Sequence, residues 1–403
     1  MEVFNTIVYL LGSITTVVAI IVCLVLFFAC KSKKKDGTRN ELENHTTEKP
    51  WTLGTWIAGV FVAGTGVALM YAPSDIVGYV GEGLNPTESI LMVALLNGAP
   101  VWALYSVVGL WYMKHMDSKI GKIAAMVSTI LGMSISLWTG MRTVARFIGV
   151  SFPGLQFLLA GITVIFAMVS AKFNWLKNMS KVAFLVFVCA FLILIATPAS
   201  DFNFMPISGG ITGNFFKAYF VGPTAASWIF WFISWTPTVS RWLAHISKGR
   251  TMKEYIAGTM ILPTLLALVW MGVSWMYQDV IMNFNLKNNI SSFIPCVVFI
   301  ISGLLFMIGT LDSDCKVFTE DLEVLSRGKL NKKKTVPYYG LFVLFFFCLF
   351  ISGIIQQPFA FNEYSSLVFM PLVVLSVIEC VKIFANRLNA NKNQRLGKAE
   401  IAD

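Results

Sequence analysis

Charge is scarce in this chain. Of 403 residues only 13% are Asp, Glu, Lys or Arg, and bases outnumber acids by 31 to 21. An average soluble domain carries about 25% charged residues, so this chain cannot clothe a water-facing globule. Histidine is rarer still: His45, His115 and His245 sit in or at the ends of polar loops, with no carboxylate or second His at ligand spacing, so no metal centre is expected. The seven cysteines are odd in number, unpaired in pattern and free of any C-x-x-C, which argues against a disulfide framework and a thiolate zinc site. No nucleophile and base stand at a spacing that suggests an enzyme. No acidic ring or carbonyl-filter sequence suggests a channel.

What is present is apolar. Hydrophobic residues make up 56% of the chain, and the mean hydropathy is +0.71, values that point to an all-α integral membrane protein. Apolar stretches long enough to span a bilayer fall near 5–29, 52–72, 90–113, 119–147, 153–171, 181–198, 223–246, 252–277, 291–311, 337–356 and 365–386, eleven in all. Alternate loops hold 27 of the 31 basic residues, leaving only Arg142, Arg146, Lys217 and Lys287 opposite. By the preference of Lys and Arg for the cytoplasmic side, the C-terminus is expected in the cytoplasm and the N-terminus outside, in a multi-pass protein of the cell (inner) membrane. The same asymmetry accounts for the net charge of +10, so nucleic acid is not an expected partner. Residues 1–29 carry Glu2 and no basic n-region, and are expected to stay as a spanning helix rather than leave as a signal peptide.

One stretch organises the rest. In WIFWFISWTPTVSRWLAHISKGR (228–250), Trp228, Trp231 or Phe232, and Trp235 recur at steps of three and four and share a helical face. Pro237 follows, a residue that removes a helical amide, with Thr236, Thr238 and Ser240 around it to supply hydroxyls. A lesion of that kind is tolerated in a membrane only where the backbone lines a cavity or faces protein, so Thr236 and Pro237 are expected to be unwound. Span 2 has a counterpart in Gly64, Thr65 and Gly66. Span 3 adds Asn97 and Pro100 beside Trp102 and Tyr105, which share one helical face. Span 4 is rich in hydroxyls, with Ser128, Thr129, Ser134, Ser136 and Thr139. Asp312, in span 9, is expected where that helix meets the cytoplasm.

Spans 2–6 and 7–11 read as two units of five, each opening on an interrupted helix. Five is odd, so the second unit enters from the opposite side, the pattern in which two broken segments frame the site of a secondary transporter. The domain expectation is an N-terminal helix and linker over 1–50, a first unit over 51–198, an outer loop with an amphipathic helix over 199–222, a second unit over 223–386 and a cytoplasmic tail over 387–403. The architecture is LeuT-like, five plus five, with one extra N-terminal helix.

Residues 231–270, WFISWTPTVSRWLAHISKGRTMKEYIAGTMILPTLLALVW, resemble the characteristic region of the betaine/choline/carnitine transporter family. AGTGVALMY (63–71), WALYSVVGL (102–110) and STILGMSISLWTG (128–140) extend the resemblance in order and spacing. The family commonly has two helices before its repeat, where this chain has room for one.

The resemblance implies movement of a small quaternary-ammonium or similar cationic or zwitterionic solute, held by the faces of aromatic rings. It implies a solute site at Trp102, Tyr105, Trp231, Phe232 and Trp235, with Asn97 where the family often has tryptophan and Phe232 as the second of its paired tryptophans. Sodium-coupled members use two related ion sites, which the resemblance maps to Thr65 with Thr310 and to Thr129. The usual Thr-Ser pair reads Gly309-Thr310 here, Met133 stands where a hydroxyl is wanted, and Thr238 replaces the common Phe. Na⁺ is therefore a candidate coupling ion rather than a required one, and no other cofactor is implied. Some members form homotrimers. Two other functions stay open: a non-transporting binding or sensor homologue, and a sodium-independent exchanger of a different zwitterion.

Overall fold

The computed structural model describes residues 2–30, 40–42, 49–64, 79, 83–150, 152–196, 211–276, 293–356 and 360–399. Among these the regular structure is helical, with one isolated antiparallel bridge between Glu41 and Thr251. The helices are α1 (Glu2–Ala29), α2 (Leu53–Gly64), α3 (Pro86–Leu96), α4 (Ala99–Lys114), α5 (Lys119–Ile148), α6 (Pro153–Phe173) and α7 (Leu176–Ala196). After them come α8 (Gly213–Val221), α9 (Pro223–Ile246), α10 (Met252–Ile256), a π-helical turn (Ala257–Ile261), α11 (Leu262–Met276), α12 (Phe293–Leu325), α13 (Lys332–Ile351) and α14 (Ala360–Ala399).

Among the described residues nine spans are long and apolar enough to cross a membrane, α3–α4 and α10–α11 each counting once. The chain is a multi-pass membrane protein. Of the two other expected spans, α2 is described over 12 residues. The other, α9, dilutes its apolar residues with hydroxyls, Arg241 and His245. It needs no lipid-compatible surface, because every residue from Phe232 to Ser247 is buried. The contrast with α6 and α7 is clear: Phe157, Leu158, Phe166, Leu185 and Leu192 all face outward there, as lipid permits.

Helix α9 is the axis of the molecule. It packs along α4, α5 and α14, and meets α1, α2 and α12 as well. On α1, Gly12 lets Ile229 and Ile233 reach its backbone, since a Cβ there would lie 2.7 Å from the Ile233 methyl. The end of the bundle where α8 begins is tied by Glu88 of α3. Its carboxylate accepts from the amide and hydroxyl of Thr212, at 2.7 and 2.6 Å, and from the Asn85 amide at 3.0 Å, so it closes a capping box and holds the start of α8 at once.

The helix interruptions differ from those expected. Pro237 lies inside a continuous α9, so Thr236 and Pro237 are not unwound. The lost amide bond is absorbed in the stretch of α9 from Phe232 onward that is buried by protein, and the Thr236 hydroxyl adds a bond to the Phe232 carbonyl at 2.7 Å. The break comes instead in the third span, at Asn97–Gly98 between α3 and α4, where Gly98 has φ −112° and ψ −122°. A Cβ on Gly98 would lie 2.6 Å from the Ala94 carbonyl oxygen and 3.1 Å from Thr264. A second irregularity is the π turn before Pro263, where Gly258 lets the Trp56 ring lie against the backbone. Gly64 is the last residue of α2, while Thr65 and Gly66 lie outside the described residues.

Candidate functional site

The tryptophan ladder of α9 forms as its spacing predicts. Trp231 and Trp235 stack with ring centroids 6.4 Å apart and planes 22° apart, and Trp228 meets Phe232 at 5.4 Å and Trp231 at 6.3 Å. Trp235 is anchored by a missing side chain: a Cβ on Gly132 of α5 would lie 2.7 to 3.1 Å from three atoms of the indole, so the ring lies on bare backbone. Its Nε1 is buried without a hydrogen-bond partner.

On α4, Trp102 and Tyr105 form an edge-on pair at 5.7 Å, 1% and 4% exposed. The α4 and α9 helices meet where Gly109 faces the Ser240 carbonyl and Leu243. Nearby, Arg241 bonds the carbonyl of Met116 just beyond α4, so the two helices run in the same direction. At 1.5 Å per residue, Trp102, seven residues before Gly109, and Trp235, five before Ser240, stand within about 3 Å of the same level. Asn97, at the break above Trp102, donates to the Val93 carbonyl at 2.9 Å, while its Oδ1 is buried without a partner. The rings thus occupy α4 and the α5-facing side of α9 at one height, with unspent polar atoms on Asn97 and Trp235.

Two hydroxyl-bearing junctions bracket this level. At the first, between α2 and α12, the Thr310 hydroxyl reaches the Val62 and Phe306 carbonyls, both at 2.9 Å. At the second, between α5 and α9, the Ser128 hydroxyl donates to the Ser234 carbonyl at 2.6 Å, and Thr129 and Thr238 are hydrogen-bonded to each other. Among the described residues, these bonds are the partners of the Thr310 and Thr129 hydroxyls.

The acidic residues of α12 hold the largest surprise. The helix does not end near residue 311 but continues to Leu325, which carries Asp312, Asp314 and Asp321 into the protein, each 1% exposed. Asp312 is therefore not at a helix end; it accepts a hydrogen bond from Ser170 of α6. Asp314 lies within hydrogen-bonding reach of the Thr238 hydroxyl. Asp321 is paired with Arg241 through two bonds, at 2.6 Å and 3.2 Å, and Arg241 also reaches the Met116 carbonyl at 3.1 Å. The signal that the helix continues is a negative one: no Gly or Pro interrupts the sequence between Gly309 and Gly328.

No family model matches the chain. Curated proteins do. The chain is 26% identical to glycine betaine transporter 1 of Vibrio parahaemolyticus over 312 residues, 63% of this chain and 58% of that protein. It is 24% identical to the glycine betaine transporter of Acinetobacter baylyi over 63% of this chain and 46% of that one. With the high-affinity choline transport protein of Escherichia coli K12 the identity is 23%, over 62% and 45%. The chain is a divergent relative of the betaine and choline transporters. It spans about half the length of the curated relatives it matches.

Proposed function

We propose that the protein is a secondary transporter of a small quaternary-ammonium or similar solute, working by alternating access around the rings of α4 and α9. The observation that carries this reading is the ring set itself: Trp231 and Trp235 stacked on α9, and Trp102 with Tyr105 level with them on α4. A permanently methylated cation offers no hydrogen-bond donor, and desolvated aromatic faces hold it by about 2 kcal/mol or more per contact. Asn97 Oδ1 and Trp235 Nε1 would meet the polar end of a zwitterion.

Two inverted five-helix units, α2–α7 and α9–α14, supply the frame in this reading. The contacts between helices support it, because they recur in pairs. The α2 helix packs on α12 and α7 as α9 packs on α5 and α14, and α12 packs on α6 as α5 packs on α13. The second element of each unit is the irregular one, broken at Asn97–Gly98 in the first and π-helical at Ala257–Ile261 in the second. With the basic loops in the cytoplasm the N-terminus is outside, the membrane is the cell membrane, and a homotrimer is the assembly to look for. At the two hydroxyl junctions, Thr310 and Thr129 stand where the family's ions would bind.

Uptake of radiolabelled betaine, choline and carnitine into proteoliposomes, with and without a sodium gradient, tests the reading. Uptake of at least one, lost in Trp235→Ala, is the expected result. A second reading, a binding protein or sensor that does not transport, is favoured by the continuity of α9 through Pro237; solute binding without counterflow would establish it.

A further inference from the structure

The sodium sites and the aromatic rings leave Asp314 unaccounted for. It sits on α12 at 1% exposure, its Oδ2 has no hydrogen-bond partner, and the Thr238 hydroxyl of α9 lies within hydrogen-bonding reach of its carboxyl group. From α13 it is faced by Tyr339, whose hydroxyl is also buried and unpartnered. On its own helix the neighbouring titratable groups are Asp312, bonded to Ser170, Cys315 and the buried Lys316. The nearest cation on α9, Arg241, is committed to Asp321 two turns further along α12. The adjoining parts of α5 and α6 bring hydroxyls, Ser128, Thr129 and Ser170. Among the described residues no Lys, Arg or His pairs with Asp314. An ionised carboxylate buried without a cation costs several kcal/mol, and a carboxyl group buried within the protein on a membrane-spanning helix is a candidate station on an ion or proton path.

We infer that Asp314 is a proton-binding site, and that its proton moves with the solute. The inference rests on the transport reading above. A proton suits the geometry better than a metal ion, because Thr129 and Thr238 bond each other directly instead of facing a common centre. Hydroxyl chemistry then sets what the proton does. A hydroxyl has one proton to give and lone pairs to receive. When Asp314 is the neutral acid, it donates to Thr238, which donates to Thr129. When the proton leaves for the aqueous side, the carboxylate can only accept: Thr238 must turn its O–H toward Asp314, and Thr129 must become the donor to Thr238. Protonation thus reverses a hydrogen-bond chain running from α12 through α9 to α5. Thr238 is one helical turn from Trp235, and Thr129 is three residues from Gly132, on which that indole lies. The state of Asp314 is thereby felt at the solute rings.

The test has two arms on the full-length chain. In proteoliposomes, an inward proton gradient is expected to stimulate uptake of the transported amine, and Asp314→Asn to abolish that stimulation while amine counterflow persists. In detergent without solute, the thermal midpoint of the wild type is expected to slope with pH between 6 and 9, the range in which Asp314 exchanges its proton. Asp314→Asn is expected to flatten that slope. If no amine is transported yet the slope is present and lost in Asp314→Asn, the proton site stands and the transport reading fails. Uptake indifferent to the proton gradient, or a sodium stimulation lost in Asp314→Asn, overturns the inference. If Asp314→Asn does not fold, Thr238→Val keeps the carboxyl and cuts the chain; proton-driven uptake equal to wild type in that variant overturns it too.

Discussion

The two hydroxyl junctions are built from similar parts and differ in one respect. Between α2 and α12 the Thr310 hydroxyl meets the Val62 carbonyl, and the surroundings are aromatic: Phe61 packs against Phe187 and Phe306 at 5.0 and 5.4 Å. Between α5 and α9, Thr129 meets Thr238, and behind Thr238 stands Asp314. Among the described residues, the groups that Thr310 meets at the first junction are neutral. The second has a carboxyl group and can change its charge. In a membrane interior, where a polar group must find its partner within the protein, that difference separates a junction that only packs from one that can respond to protons.

The sharpest way to break the comparison is through the carboxylate that is paired. Asp321 shares α12 with Asp314 but is held by Arg241 through two bonds. Arg241→Met strips Asp321 of its cation, and losing one partner of a buried pair typically costs 3–5 kcal/mol. The expected result is a large drop in thermal midpoint, or no folded protein at all. The double variant Arg241→Met with Asp321→Leu should recover most of the loss. Equal destabilisation of the single and double variants would mean that the pair contributes little.

Next in size is the ring over α5. Trp235→Ala removes a stacked indole, and solute affinity is expected to fall by about thirtyfold, the equivalent of the ~2 kcal/mol a desolvated ring contributes. Trp235→Phe should keep most of it. Gly132→Ala probes the same contact from the other side: its Cβ would lie 2.7 Å from the indole, so the ring must shift, and binding should weaken while the fold survives. Tryptophan fluorescence quenching by the solute would read both variants.

Much of this frame is legible in the sequence, because lipid imposes its own spelling. Runs of about 20 apolar residues mark spans, and the eleven expected near 5–29 through 365–386 each coincide with helix in the described residues. The tryptophan ladder follows from steps of three and four. What is hidden is whatever depends on neighbours. Pro237 reads as a break because local rules cannot know that α9 is buried around it, from Phe232 to Ser247. Asn97–Gly98 does not read as one because Gly98 is needed for the approach of Thr264, 166 residues away. Asp312 looks like the end of a helix because hydropathy falls there; that it lies inside becomes visible only when α6 packs against α12 and Ser170 meets its carboxylate. Charged residues in a membrane helix are legible as exceptions, but their partners are not.

A third prediction returns to the neutral junction. A Cβ on Gly309 would lie 2.4 Å from a Val62 methyl, so Gly309→Ala is expected to destabilise by about 1–3 kcal/mol, as overpacking does. Val62→Ala in the same chain should restore much of it by opening the space the new methyl needs.

The smallest effect is the most telling. Thr310→Val deletes one hydroxyl and the bond it makes to Val62, worth about 1 kcal/mol, and replaces it with a group of the same shape. Because the Thr310 hydroxyl meets backbone carbonyls among the described residues, the loss should be the same at pH 6 and pH 9. Thr238→Val deletes a hydroxyl of the same kind, but one that faces Asp314. Its cost should change across that range, because the carboxylate that forms when the proton leaves draws a hydrogen bond from Thr238. Thermal midpoints of the two variants, each measured against wild type at both pH values, compare the junctions directly. Parallel losses would make them equivalent, and the carboxyl group beside one of them incidental.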